Sequence, residues 1–180
     1  MPSALKTRLE DDLKAAMRTK DTLRRDTLRF VLAAVQREGV DRRQAMVDRL
    51  IAEGKSEADR AAHIEKHDPN DVDDAGVQEV LQRQAKMRRD SIEAFRKGGR
   101  AELVDKEERE LGVISGYLPK QLTEGEVRAI VERVVAETGA TGPRDMGKVM
   151  PKVLAETKDL ADGRQVSGIV QALLKAKAGA

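Results

Sequence analysis

Apolar side chains recur every three or four residues along most of this chain, a period that predicts helices almost throughout. Ala4, Leu5, Leu9, Leu13 and Met17 form the stripe of a first helix, and Ser3 is placed to cap it. Leu23, Leu28, Val31, Leu32 and Val35 form the stripe of a second, with Asp21 as its cap and Gly39 as its stop. The short connection between them predicts an antiparallel hairpin. From Val40 to Asp74 the pattern weakens. Met46, Val47, Leu50 and Ile51 support a short helix interrupted at Gly54, and Ala58, Ala61, Ala62 and Ile64 make a small-residue stripe after it. His67-Asp68-Pro69-Asn70-Asp71 then breaks the period. The stretch near residues 40–71 reads as a helical insertion with an acidic exit.

The longest periodic run spans Val72 to Lys97, where Val77, Val80, Leu81, Gln84, Arg88, Ile92 and Phe95 share one face. Gly98-Gly99 ends it. A further helix runs from Arg100 to about Gly116 with Leu103, Leu111, Ile114 and Leu118 inward. Tyr117-Leu118-Pro119 closes this half, because the residue before a proline is pushed out of the helical region. Thr123 and Glu126 then have the spacing of a capping box, ahead of Val127, Ile130, Val131 and Val134. Gly139 stops that helix. Pro143 opens the next, which carries Met146, Val149, Met150, Val153 and Leu154. Asp162-Gly163 makes the last turn before Val166, Ile169, Val170, Leu173 and Leu174. The expected fold is all-α, with an N-terminal long-helix hairpin domain over residues 1–118 and a small three-helix C-terminal bundle over 119–180.

Composition narrows the classes. Of 180 residues 37% are charged, with 34 Lys and Arg against 32 Asp and Glu. The only aromatics are Phe30, Phe95 and Tyr117, too few to fill the pleated face of a sandwich or barrel. No cysteine is present, which removes disulfides, thiolate metal sites and cysteine nucleophiles. Phe30 to Val35, the longest apolar stretch, is far short of the roughly 20 residues a membrane-spanning helix needs. Met1 to Lys20 lacks the apolar core of a secretory signal. A soluble, cytoplasmic protein without a membrane partner is the expectation.

Catalytic chemistry finds little footing. His63 and His67 stand four apart, the spacing for two imidazoles to share a metal, and Asp59 or Asp68 would complete such a site. A solvated face in an acidic stretch accounts for the same residues, so no metal, no cofactor and no catalytic residue is assigned. The serines form no nucleophile elbow, and Gly98-Gly99 follows a helix rather than the strand a phosphate-binding loop requires. What remains is cationic. Arg83, Lys86, Arg89, Arg96, Lys97 and Arg100 run along and just past the long helix, where they contact phosphates or pair locally, as Lys86 with Asp90 and Glu93 with Lys97. Arg88 lies inside the apolar stripe and calls for a carboxylate partner, Glu107 or Glu110. Lys120, Arg144, Lys148, Lys152 and Arg164 form a second group in the terminal domain, where spare amides at helix N-termini would add phosphate affinity. So few aromatics disfavour recognition of stacked single-stranded bases and favour a folded RNA met through its backbone.

Several of these segments resemble the GatB/YqeY family. They are Arg88-Arg89-Asp90-Ser91-Ile92-Glu93, Phe95-Arg96-Lys97-Gly98-Gly99-Arg100, Leu103-Val104-Asp105-Lys106-Glu107-Glu108 and Tyr117-Leu118-Pro119. Glu137-Thr138-Gly139-Ala140, Asp145-Met146-Gly147-Lys148-Val149-Met150 and Ala161-Asp162-Gly163 continue the likeness, which leaves out the stretch near 40–71. Such a module also forms the helical and tail domains of the B subunit of a glutamine-dependent tRNA amidotransferase, a carbon–nitrogen ligase, where it grips the tRNA body apart from the catalytic cradle. The resemblance therefore implies a tRNA-binding accessory protein without chemistry of its own. An amidotransferase or an aminoacyl-tRNA synthetase is a candidate partner. Pro151 and Leu160 depart from the family pattern, and Pro151 predicts a kink or early stop in its helix. The competing reading is a helical interaction module that homo-oligomerises or docks a partner and binds no RNA. A self-sufficient amidotransferase is a third.

Overall fold

A computed structural model describes residues 3–66, 71–158 and 160–178. Among them there are eight α-helices and no strand: α1 (Ala4–Thr19), α2 (Thr22–Ala52), α3 (Glu57–Lys66), α4 (Asp74–Lys97), α5 (Ala101–Ser115), α6 (Glu124–Glu137), α7 (Met146–Thr157) and α8 (Gly163–Ala178). A single 3-10 turn, Pro143–Asp145, leads into α7. The chain divides into two compact units, Met1–Leu118 and Pro119–Ala180.

In the first unit Ser3 caps α1 by accepting from the Lys6 amide, and Asp21 caps α2 by accepting from the Arg24 amide at 3.0 Å. Lys20 turns the chain between them in the left-handed region, at φ 58°. That costs a non-glycine residue about 1 kcal/mol, and its amide is bound to the last carbonyls of α1 in exchange. α4 packs on α1, α2 and α5. Leu9, Leu28, Val31, Val35, Val77, Val80, Leu81, Ala85, Ile114 and Tyr117 close the core. Asp74, in the first turn of α4, accepts from the Ser3 hydroxyl and from the Leu5 amide at 3.0 Å, so one carboxylate ties two helix starts together.

The structure departs from the expected pattern in the middle of this unit. α2 does not stop at Gly39 but continues as one 31-residue helix, about 46 Å long at 1.5 Å per residue. Gly39 is buried, and the Glu38–Arg42 pair bridges it at 2.8 Å, so packing and a local ion pair override the weak helix preference of glycine. The segment from 40 to 52 is therefore the end of α2, and only α3 stands apart from it. Met17, Ile51 and Leu103, inward by the sequence pattern, are exposed, because one stripe cannot face the core along its whole length. Gly99, at φ 67°, turns the chain from α4 into α5.

In the second unit α6, α7 and α8 pack pairwise around Val127, Val131, Val134, Val135, Val149, Val153, Val166, Ile169, Val170 and Leu174. The capping box at Thr123 and Glu126 is formed. Gly139, at φ 62°, terminates α6. Pro151 does not stop α7, which runs on to Thr157. Pro151 is exposed, so the backbone carbonyl it leaves unbonded on that side can take water. Leu154, inward by the sequence pattern, is 42% exposed.

Candidate nucleic-acid interface

The eleven cationic residues singled out by the sequence fall into different environments. Along α4, Arg83 is paired with Glu38 and Arg96 with Glu108. Glu38 also holds Arg42, whose guanidinium reaches Asp73 at 3.8 Å and Glu79 at 3.5 Å. The hydrogen bond from Arg42, with Arg83 nearby, keeps the Glu38 carboxyl below its usual range. Arg89 is half-buried and also has a partner. Lys86, Lys97 and Arg100 are exposed.

Arg88 sits where its place in the apolar stripe required. Its guanidinium contacts both candidate carboxylates, Glu110 at 2.7 Å and Glu107 at 3.4 Å, and lies 5.1 Å from the centre of the Phe30 ring. All three charged side chains are less than a fifth exposed. The cluster joins α4 to α5, and in it Arg88 Nε and Glu107 Oε2 are buried without a hydrogen-bond partner. A second polar knot was not foreseen. Tyr117 donates to Asp12 and accepts from Arg24 at 3.0 Å, while Arg8 lies 5.0 Å from the ring centre. The Tyr117 hydrogen bond, reinforced by Arg24, lowers the Asp12 carboxyl, and burial raises the Tyr117 phenol. Only the Tyr-Leu-Pro motif marked this place in the sequence.

In the second unit α7 carries Lys148 and Lys152 on its exposed side, one turn apart, with Arg144 in the turn before them. Lys148 lies 3.5 Å from Asp145 and is 72% exposed. Arg144 and Lys152 form no ion pair with another described residue. Glu156, the one acid of α7, is tied to Arg133. Lys120 and Arg164 are exposed, Arg164 with a partner. Gly142 lies against the end of α8, where an added Cβ would come 3.3 Å from that of Ala178. The last turn of α8 brings Lys175 and Lys177 to this end. Spacing along the chain did not single these two out, although cations in a last turn are legible as complements to the helix dipole.

Some of the expected spare amides are taken by carboxylates. Glu126 accepts from the Thr123 amide at 2.7 Å, Asp145 from those of Thr141 and Gly142 at 2.9 and 3.3 Å, and Asp162 from Arg164 and Gln165 at 2.8 and 3.3 Å. α7 itself has no side-chain cap, and the backbone bonds keep Glu126 and Asp145 below the usual carboxylate range. His67 and Asp68 lie outside the described residues, and His63 is half-buried in α3 with a partner.

Charge is divided as unevenly as structure. Residues 119–180 contain ten Lys and Arg against eight Asp and Glu, leaving 24 of each in residues 1–118. The entire surplus of two positive charges belongs to the second unit. These features define an all-helical protein of two units, the smaller one cationic. The chain belongs to the YqeY-like protein family, which it matches over residues 6–53 and 55–174. The matched residues run through the stretch near 40–71 apart from Gly54 and include helix α3.

Relatives named "Altered inheritance of mitochondria protein 41, mitochondrial" occur in fungi. The one from Lachancea thermotolerans is 30% identical over 137 residues, covering 75% of this chain and 60% of the relative. The one from Pyrenophora tritici-repentis is 32% identical over 173 residues, covering 94% and 81%. The one from Eremothecium gossypii is 30% identical over 110 residues, covering 61% and 46%. The chain thus spans less than two thirds of the first and third. Their names overturn the cytoplasmic expectation, since each is a mitochondrial protein. That expectation rested on the lack of an apolar segment, which bears on secretion and membrane insertion but not on import into an organelle.

Proposed function

We propose that this protein is a tRNA-binding accessory factor related to the tail of glutamine-dependent tRNA amidotransferases, without catalysis of its own. Its second unit acts as a small three-helix grip that meets RNA through the phosphate backbone. One observation carries this. The cationic surplus resides in residues 119–180, and α7 with the turn before it exposes Arg144, Lys148 and Lys152, the one acid of α7 being tied to Arg133. Lys86, Lys97 and Arg100 are secondary contacts, whereas Arg83 and Arg96 are engaged internally. An amidotransferase or an aminoacyl-tRNA synthetase would be the enzyme it serves.

The test is a binding titration of the intact chain with unfractionated tRNA over a range of salt. Three phosphate contacts give a log–log slope of about −2 to −3, and Lys148→Glu should reduce its magnitude by about one while weakening affinity. Affinity that ignores both salt and charge reversal would refute the proposal. The interaction-module reading draws on a cleft of about 540 Å³ between α2 and α3, lined by Val47, Ala61 and Ile64 with Arg43 and Arg60 at its rim. It expects mass that rises with protein concentration and no RNA binding.

A further inference from the structure

We infer that the first unit carries a self-association face, and that its occupant is a second copy of this chain packed antiparallel along α2. This concerns α1, α2 and α3 and stands apart from the RNA-binding reading of the second unit. Two clefts mark the face. One, of about 750 Å³, lies between α1 and α2 with Leu13, Leu32, Ala33 and Val40 in its walls. The other, of about 540 Å³, lies between α2 and α3 over Val47, Ala61 and Ile64. Ala33, Val40 and Val47 recur at two-turn steps, so both clefts open on one side of α2.

Exposed apolar side chains gather on the same side. Met17 follows Lys6, Glu10 and Leu13 along one row of α1, and Ile51 follows Val47 on α2. Met17, Val40 and Ile51 are each more than half exposed. Among the described residues α3 packs on α2 and on no other helix, and it buries none of its own side chains. So short a helix is marginal by itself, and one layer of helices needs a second to cover its apolar side. The face runs about 33 Å from Arg29 to Ile51 and is two helices, about 20 Å, wide. Stable dimers bury a surface of that size, on the order of 800 Å² per partner.

Charge identifies the occupant. Lys6, Glu10, Arg43, Glu57 and Glu65 line the clefts and form no ion pair with another described residue. A nucleic acid or an anionic membrane calls for cations alone, whereas this rim carries both signs. A two-fold axis at Val40 lays α2 antiparallel on its mate, with Ala33 facing Val47 of the other copy. Leu32 and the buried Leu50, about five turns apart, put α1 and α3 on the same flank of α2. The axis therefore sets α1 of one copy over α3 of the other. Both helices run back along α2, so Lys6 and Glu65 each lie about one turn from Val40, and Glu10 and Arg60 each about a turn further out. Each cation then meets an acid of the second copy.

The intact chain is studied by sedimentation equilibrium over about a hundredfold range of concentration. Its mass should rise from 19.8 kDa toward twice that value. Val40→Lys places two like charges on the axis and should weaken association about tenfold or more. Circular dichroism checks that this variant remains folded. Each Lys6–Glu65 pair occurs twice in the dimer, so Lys6→Glu or Glu65→Lys alone should weaken it about fivefold. The two reversals together should restore it to within about twofold, which no other packing of the dimer would produce. A chain monomeric throughout, a dimer indifferent to Val40→Lys, or single reversals left unrepaired by the double would each overturn the inference. A monomer that binds tRNA refutes this face and leaves the RNA reading standing. A dimer that responds to these variants but binds no tRNA does the reverse.

Discussion

Tyr117 shows how one side chain can gather charge from elements distant in sequence. Its hydroxyl links Asp12 of α1 to Arg24 of α2 from the end of the first unit, and the residue is buried. Tyr117→Phe leaves the ring in place and removes the bridge, which should cost about 1–2 kcal/mol at neutral pH by urea unfolding. The pH dependence follows from the lowered Asp12 carboxyl. A carboxyl held below its unfolded value adds stability above that value, and the gain is lost as pH falls through the lowered folded value. Tyr117 is the largest cause of that lowering, so the variant has less to lose and its deficit should shrink on acidification below about pH 4. A deficit constant between neutral and acidic pH would contradict this account. Arg88 is the contrasting case, because its position alone, a cation on an apolar stripe, announced that carboxylates must face it.

At the scale of elements, the junction of α2 and α4 is where packing overrules propensity. Gly76, in the first turn of α4, leaves room for the Arg42 guanidinium, and a Cβ there would stand 2.7 and 2.8 Å from its nitrogens and 2.7 Å from the Val72 side chain. Alanine is favoured over glycine by about 1 kcal/mol inside a helix. Gly76→Ala should nevertheless destabilise, by about 1–3 kcal/mol, since Arg42 must leave Glu38, Glu79 and Asp73 or the buried Val72 must shift. Thermal unfolding decides it, and a raised midpoint would show that the crowding is relieved at no cost. The unbroken α2 has the same origin. Gly39 reads as a stop when only neighbours along the chain are considered, but in the folded protein it is buried within an unbroken helix.

At the scale of the molecule, two separate apolar cores underlie the two units. Leu174, fully buried in the second core, is a test of their independence. Leu174→Ala should cost about 3 kcal/mol in that unit. Amide exchange should speed up in α6, α7 and α8 and stay unchanged in α1, α2 and α4; equal loss of protection in both would mean that they unfold as one. The charge surplus follows the same division, which is why salt-dependent binding is expected of a chain whose overall net charge is only +2.

Local pattern was enough for the helical class, most helix starts, the glycines that turn the chain at positive φ, and the demand of Arg88 for an acidic partner. Each of these depends on neighbours within a turn or on one apolar stripe. The sequence motifs also carried the family. Tertiary structure alone decided that α2 passes through Gly39 and that Arg83 and Arg96 are paired with Glu38 and Glu108. It also showed which cations of α7 keep their charge exposed. Charge at a surface depends on what faces it across space, and the spacing of residues along a chain carries no record of that.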